Sequence, residues 1–183
     1  KRRTNGSGGT NWLVYHKGLN GGSSPEDYYV MLNSASTEQA TTAIWNDTAP
    51  TSTHFTLGNN SNMNATDKEA IALLFASVNG ISKVGSYTGT SASSQTITTG
   101  FQPRFIIVKR VDTSAQWFTF DTTRGWTSNG VTTSDDKALM LNADDAQWNN
   151  AFGHPISTGF VLNGAGYGNN GGASTPYIYY AHA

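Results

Sequence analysis

Four histidines, His16, His54, His154 and His182, are the first residues to weigh, because an imidazole can ligate a metal or move a proton near neutral pH. None stands in His-x-x-x-His spacing, so each reads as a polar edge residue or a satisfied core residue rather than a ligand. The acidic pairs Asp135-Asp136 and Asp144-Asp145 could serve as an acid/base couple or supply oxygen to Ca²⁺. Glycoside hydrolysis needs two carboxylates about 5–10 Å apart across a cleft, whereas neighbouring acids commonly cap turns. Asn59, Asn60, Asn62, Asn64 and Asp67 form an oxygen-rich stretch without the fixed pattern of a calcium loop, so it reads as a turn. No Gly-x-Ser-x-Gly elbow is present, and Gly6-Ser7-Gly8-Gly9 and Gly164-Ala165-Gly166-Tyr167-Gly168 are not followed by a helical pattern that would cradle phosphate. The chain has no cysteine, which excludes disulfides, thiolate zinc sites and a thiol nucleophile. The expectation is a chain with no catalytic residue, metal or cofactor.

A binding role has better material. Trp45, Trp126, Trp148 and Tyr167 lie in polar, loop-rich stretches. An exposed aromatic offers a flat apolar face that stacks on a sugar ring, while nearby Asn, Asp and Arg bond its hydroxyls. Asp121 and Arg124 frame the turn after Trp117 and could hold an anion or a sugar, or simply close the corner as an ion pair. The set Trp45, Trp126, Trp148, Tyr167, Asp121 and Arg124 is the candidate ligand surface. The plain alternative is that such rings fold inward as lids. Trp12 and Trp117 sit on strand patterns and are expected in the core.

The elements that must position these residues are short strands bounded by Gly, Pro, Asn or Ser. They are expected at residues 11–16, 28–33, 53–57, 70–76, 94–98, 105–111, 116–121, 138–142, 159–162 and 177–181. Residues 66–76 have helical propensity behind a capping Thr66, but their repeat partner at 176–181 favours a strand, and a strand is the reading adopted. Residues 37–43 are expected to form a helical turn, and 77–89 a link. Self-comparison supplies the strongest signal. Asn11–Tyr15 resembles Gln116–Phe120 and Phe55-Thr56-Leu57 resembles Phe160-Val161-Leu162, both at an offset of 105. Phe75-Ala76 resembles Tyr180-Ala181 at the same offset, Met31-Leu32-Asn33 recurs as Met140-Leu141-Asn142 at 109, and Lys1-Arg2 as Lys109-Arg110 at 108. The expected organisation is a first copy at 1–83, incomplete at its start, and a second at 84–183, packed together. Lys1 reads as the middle of a copy, so an excerpt of a longer polypeptide is expected. The expected fold is all-β, an antiparallel β-sandwich of jelly-roll or lectin-like type.

Composition narrows the partners. Gly, Thr, Asn and Ser make 79 of 183 residues, and only 13% are charged. The surface is therefore kept wet by neutral polar groups, while five Trp, eight Tyr and eight Phe supply bulk for strands. A net charge of -1 without a basic cluster excludes the phosphate contacts of general nucleic-acid binding. No apolar run approaches the ~18 residues of a membrane-spanning helix.

Phe105-Ile106-Ile107-Val108-Lys109-Arg110 followed by Trp117-Phe118-Thr119-Phe120-Asp121-Thr122-Thr123-Arg124-Gly125 resembles a recurrent segment of repeated domains in marine bacteriophage and environmental viral proteins. Trp12–Leu19, Trp45–Pro50 and Leu74–Gly85 match the same pattern. Those domains lie in large phage structural proteins, often beside SPRY or concanavalin-like lectin modules. The resemblance implies a virion-surface part of a tail fibre or similar appendage, and it carries no catalytic residues. A non-enzymatic structural module for host-surface glycan adhesion is the expected function. Its expected partners are copies of itself, possible trimers among them, and bacterial surface polysaccharide. The alternatives are a depolymerase-like glycoside hydrolase using the Asp pairs, and a protein-docking or capsid-decoration module.

Overall fold

The computed structural model describes residues 1–2, 10–127, 136–164 and 169–183. Among these the fold is all-β, with antiparallel sheets, three short 3₁₀ turns and no α-helix. In chain order the strands are β1 Leu13–Val14, β2 Tyr28–Met31, β3 Gln39–Ala40, β4 Ser82–Thr88, β5 Ser94–Thr98, β6 Phe105–Arg110, β7 Trp117–Asp121, β8 Asp136–Met140, β9 Trp148–Asn150, β10 Gly153–Ile156, β11 Gly159–Asn163 and β12 Pro176–His182. They form a six-stranded sheet in the order β4-β12-β6-β7-β8-β9 and two three-stranded sheets, β1-β2-β3 and β10-β11-β5.

Strand alternation decides what each face of the large sheet covers. Ile106 and Val108 of β6, Phe118 and Phe120 of β7, and Tyr177, Tyr179 and Ala181 of β12 meet Ile97, Phe160 and Leu162 from the β10-β11-β5 sheet, with Phe101, Trp126 and Phe152 between them. Fully burying one such ring contributes about 1.5–3 kcal/mol. On the opposite face Ile107, Trp117 and Ile178, together with Val111 at the end of β6, pack against Leu19, Val30, Val14, Tyr28 and Leu32 of the N-terminal segment. Trp117 Nε1–H donates to the Met31 carbonyl at 2.9 Å and thereby ties the two segments. A third cluster, Ile44, Trp45 and Met63 with Leu13, Tyr15, Tyr29 and Leu57, lies beyond the small N-terminal sheet.

The same hairpin is built twice. Leu13 faces Met31 and Val14 faces Val30 in β1-β2, as Phe118 faces Met140 and Thr119 faces Leu139 in β7-β8. Asn33 Oδ1 accepts the Trp12 N–H at 2.8 Å, and Asn142 Oδ1 accepts the Trp117 N–H at 2.8 Å. Each asparagine also donates from Nδ2, to Asn11 Oδ1 in one hairpin and Gln116 Oε1 in the other. Leu32 N–H reaches Trp12 O at 2.9 Å, and Leu141 N–H reaches Trp117 O at 3.0 Å. Past the first strand, His16 Nδ1 accepts the Gly18 N–H as Asp121 Oδ1 accepts the Thr123 N–H. The third strand follows suit, with β3 beside β2 where β9 lies beside β8.

Several local expectations change. Residues 77–89 are not a plain link, since Ser82–Thr88 is β4, paired along its length with β12. Gly85 belongs there because a side chain would meet the Tyr179 ring at 2.5 Å. Residues 37–43 contain β3 rather than a helical turn, as Tyr28 and Tyr29 of β2 offer it a free edge. Residues 53–57 form no regular strand, although Thr51 N–H closes onto His54 O at 2.8 Å at the place where Ile156 faces Gly159. Trp117 is a core residue, 5% exposed, but Trp12 is half-buried with Lys1 Nζ 5.3 Å from its ring centre.

Candidate binding surface

Among the described residues the three tryptophans of the proposed set, Trp45, Trp126 and Trp148, do not converge on one surface. Trp45 lies in a turn whose Asn46 and Asp47 hold φ of 57° and 47°, which swings the ring inward onto Tyr15 at 6.0 Å. Its Nε1–H donates to Tyr28 O at 3.0 Å. Trp126 follows Gly125, whose φ of 109° reverses the chain, and its ring enters the main core between Phe120 and Phe160. Trp148 is the outward ring, 46% exposed, and lies flat on Phe118 with centroids 6.0 Å apart and planes 11° from parallel. Tyr167 lies outside the described residues. Asp121 Oδ1 accepts the Thr123 N–H at 2.7 Å, and among the described residues no ion pair joins it to Arg124.

A groove of about 450 Å³ opens beside Trp126, lined also by Gln102, Pro103, Arg104, Thr122, Thr127 and Pro155. Backbone bonds fix its walls: Arg104 N–H donates to His182 O, and Thr122 N–H donates to Arg104 O. Arg104 Nη2 also donates to Thr123 Oγ1 at 3.3 Å. A guanidinium, a carboxamide and hydroxyls around an aromatic edge suit a hydroxylated or anionic ligand. Only Trp126 of this group was visible as a candidate in the sequence. Gly100-Phe101-Gln102-Pro103 marks the turn that delivers Arg104, but nothing in its spacing announces a groove.

Two buried titratable residues, Asp136 and His16, bond within the fold. Asp136 is buried and accepts the Gly153 N–H at 3.0 Å; burial pushes its carboxyl pKa up against the pull of the Gly153, Thr127 and Phe152 amides. Asp135 lies outside the described residues, and Asp144 and Asp145 are exposed on the β8–β9 loop. His16 is buried where the N-terminal hairpin meets β12, its Nε2 3.3 Å from Tyr179 O, and burial lowers its pKa to about 4. The oxygen-rich stretch closes on itself, with Asn62 N–H on Asn60 Oδ1 and Asn64 Nδ2 on Gly58 O. Among the described residues no group of three His, Asp or Glu side chains could hold a metal, and no helix is long and apolar enough to cross a membrane.

Residues 1–183 match the family model described as Domain of unknown function (DUF7483). No curated protein and no solved structure matches the chain.

Proposed function

The chain belongs to the DUF7483 family, a domain of unknown function, and we propose that it is a non-enzymatic scaffold built from two copies of one β-unit, carried on a virion surface appendage such as a tail fibre. The observation that carries this reading is the hairpin built twice with the same asparagine lock, Asn33 to Trp12 and Asn142 to Trp117. Two pairings of one register, each closed by its own side chain, are what duplication of a rigid unit leaves behind. The copies pack as a layered sandwich through Leu19, Val30, Trp117 and Ile178. The viral setting is drawn from the resemblance of Phe105–Arg110 and the segment around Trp117 to repeated phage domains.

Adhesion to host polysaccharide is the role we assign to the exposed chemistry. Trp148 presents an open ring braced by Phe118 and Phe152, and the groove at Arg104, Gln102 and Thr122 presents polar donors. Single-copy binding should be weak and gain strength by multivalency in an oligomer, a trimer among the arrangements. The test is a glycan array probed with the wild type, Trp148→Ala and Arg104→Ala. Binding by the wild type that drops about tenfold or more in a variant supports the role, since stacking on one ring contributes about 1–3 kcal/mol on the scale known for bases. An identical profile in all three removes the assignment, and release of reducing sugar from host polysaccharide would replace the scaffold reading with a hydrolase.

A further inference from the structure

Residues 70–76 carry an unmet requirement. Ile71, Leu73, Leu74 and Phe75 are 56%, 61%, 77% and 59% exposed. In an extended chain Ile71, Leu73 and Phe75 share one side and Leu74 takes the other, so both sides are apolar. That pattern belongs to a strand covered on both faces inside a sheet, and a contiguous exposed apolar patch marks an interaction site.

The pairing that exists tells which strand this is. Lys1 N donates to Ile71 O and Ile71 N–H donates to Lys1 O, both at 2.9 Å, while Arg2 bridges Ala70 in antiparallel fashion. In the large sheet Lys109 faces Ile178 and Arg110 faces Tyr177. Lysine stands opposite isoleucine, with arginine next to it, in both places. Residues 70–76 thus hold the position of β12, an interior strand with β6 on one edge and β4 on the other. The match sets Ile71 level with Ile178, an offset of 107 rather than 105. Since β1-β2-β3 reproduces β7-β8-β9, the small sheet matches one half of the large one, and among the described residues the half holding β4, β12 and β6 is represented by Lys1-Arg2 and residues 70–76. Trp12 agrees with this, being half-buried where Trp117 is covered by a neighbouring unit.

We infer that residues 70–76 are an acceptor strand for two antiparallel strands of β4 and β6 type from a further repeat of this sequence, the second of them running in line into Lys1-Arg2. This rests on the two-unit reading above. A second copy of this chain does not fit as donor, because its own β4 and β6 are both paired along β12. The Ala76 carbonyl already accepts from Ser82 Oγ at 2.7 Å, so strand addition takes up the backbone N–H and C=O groups of 72–75, and the added unit covers the apolar side chains.

The test joins a duplicate of residues 82–108 ahead of Lys1 in the full chain, so that Val108-Lys109-Arg110 is recreated at the junction. Amide exchange at 71–76 should slow by about tenfold or more, with loss of an apolar-surface dye signal. A scrambled 82–108 segment, or Leu74→Asp in the extended chain, should give no such protection. A synthetic peptide of residues 82–108 titrated onto the unextended chain is the second arm and should protect the same amides saturably. Exchange at 71–76 that stays equal for the true and scrambled segments overturns the inference. So does a dimeric unextended chain with these amides already protected, which would make the occupant a second copy. The asparagine locks are measured separately, so retained locks with unprotected 71–76 refute the acceptor strand and leave the two-unit reading standing.

Discussion

Replacing Asn142 by Ala weighs the lock on which the doubled hairpin depends. Asn142 Oδ1 accepts the Trp117 N–H at 2.8 Å, and Nδ2 donates to Gln116 Oε1; alanine removes both bonds. A protein hydrogen bond contributes about 1 kcal/mol net, and a buried N–H left without a partner costs about 1–3 kcal/mol. Trp117 is 5% exposed, so water reaches its amide poorly. The expected loss for Asn142→Ala is therefore about 2–3 kcal/mol. Asn33→Ala removes the matching pair from Trp12 and Asn11, but Asn33 and Asn11 are exposed and Trp12 is half-buried. Water replaces the lost partners there, and the expected loss is about 1 kcal/mol or less. Asn142→Asp separates the two bonds, because the acceptor for Trp117 stays and only the donor goes; about 1 kcal/mol is expected. Urea unfolding followed by tryptophan fluorescence reads all three variants as shifts of midpoint at constant slope. Asn33→Ala as costly as Asn142→Ala, or Asn142→Asp as costly as Asn142→Ala, would refute the reasoning.

Stability should fall in mild acid through His16. Its folded pKa, lowered to about 4 by burial, lies below the ordinary 6.5, so the unfolded chain takes the proton more readily. Stability from this group is complete above pH 6.5 and is lost as pH falls towards 4, by up to about 3 kcal/mol. His16→Asn keeps an acceptor for the Gly18 N–H, as Asp121 does for Thr123, and should flatten that stretch of the profile; parallel urea midpoints for the two proteins at pH 7 and 4.5 would contradict this. Gly153→Ala should lower the melting temperature sharply, with a loss of about 2–4 kcal/mol, because φ is +135° and the added carbon would lie 2.0 Å from Val161 O. An unchanged melting curve would mean that the β10–β11 pairing is not as described.

The strands of the second half are legible because each is an apolar run closed by turn residues. Residues 94–98 coincide with β5, and 105–111 and 116–121 differ from β6 and β7 by one residue. The first half is less legible for a physical reason. Its sequence carries the same strand signals, but among the described residues, 70–76 pair only with Lys1-Arg2, so a bridge forms in place of a strand. Ser82–Thr88 hides because a glycine and polar residues imitate a link, whereas Gly85 marks where the Tyr179 ring passes. The candidate surface was the least legible part. A tryptophan in a polar loop gives no sign of which way its ring turns, and positive φ at Asn46, Asp47 and Gly125 is what sends Trp45 and Trp126 inward. Arg104 and Gln102 join Trp126 only through pairings remote in sequence, of which Arg104 N–H on His182 O is one.

A crystal structure resolving the amide orientation of both asparagines tests duplication most directly. The account predicts that Asn33 and Asn142 each accept the N–H of the tryptophan across their hairpin, with Met31 opposite Leu13 and Met140 opposite Phe118. Asparagines turned to solvent, or hairpins paired in different registers, would contradict it.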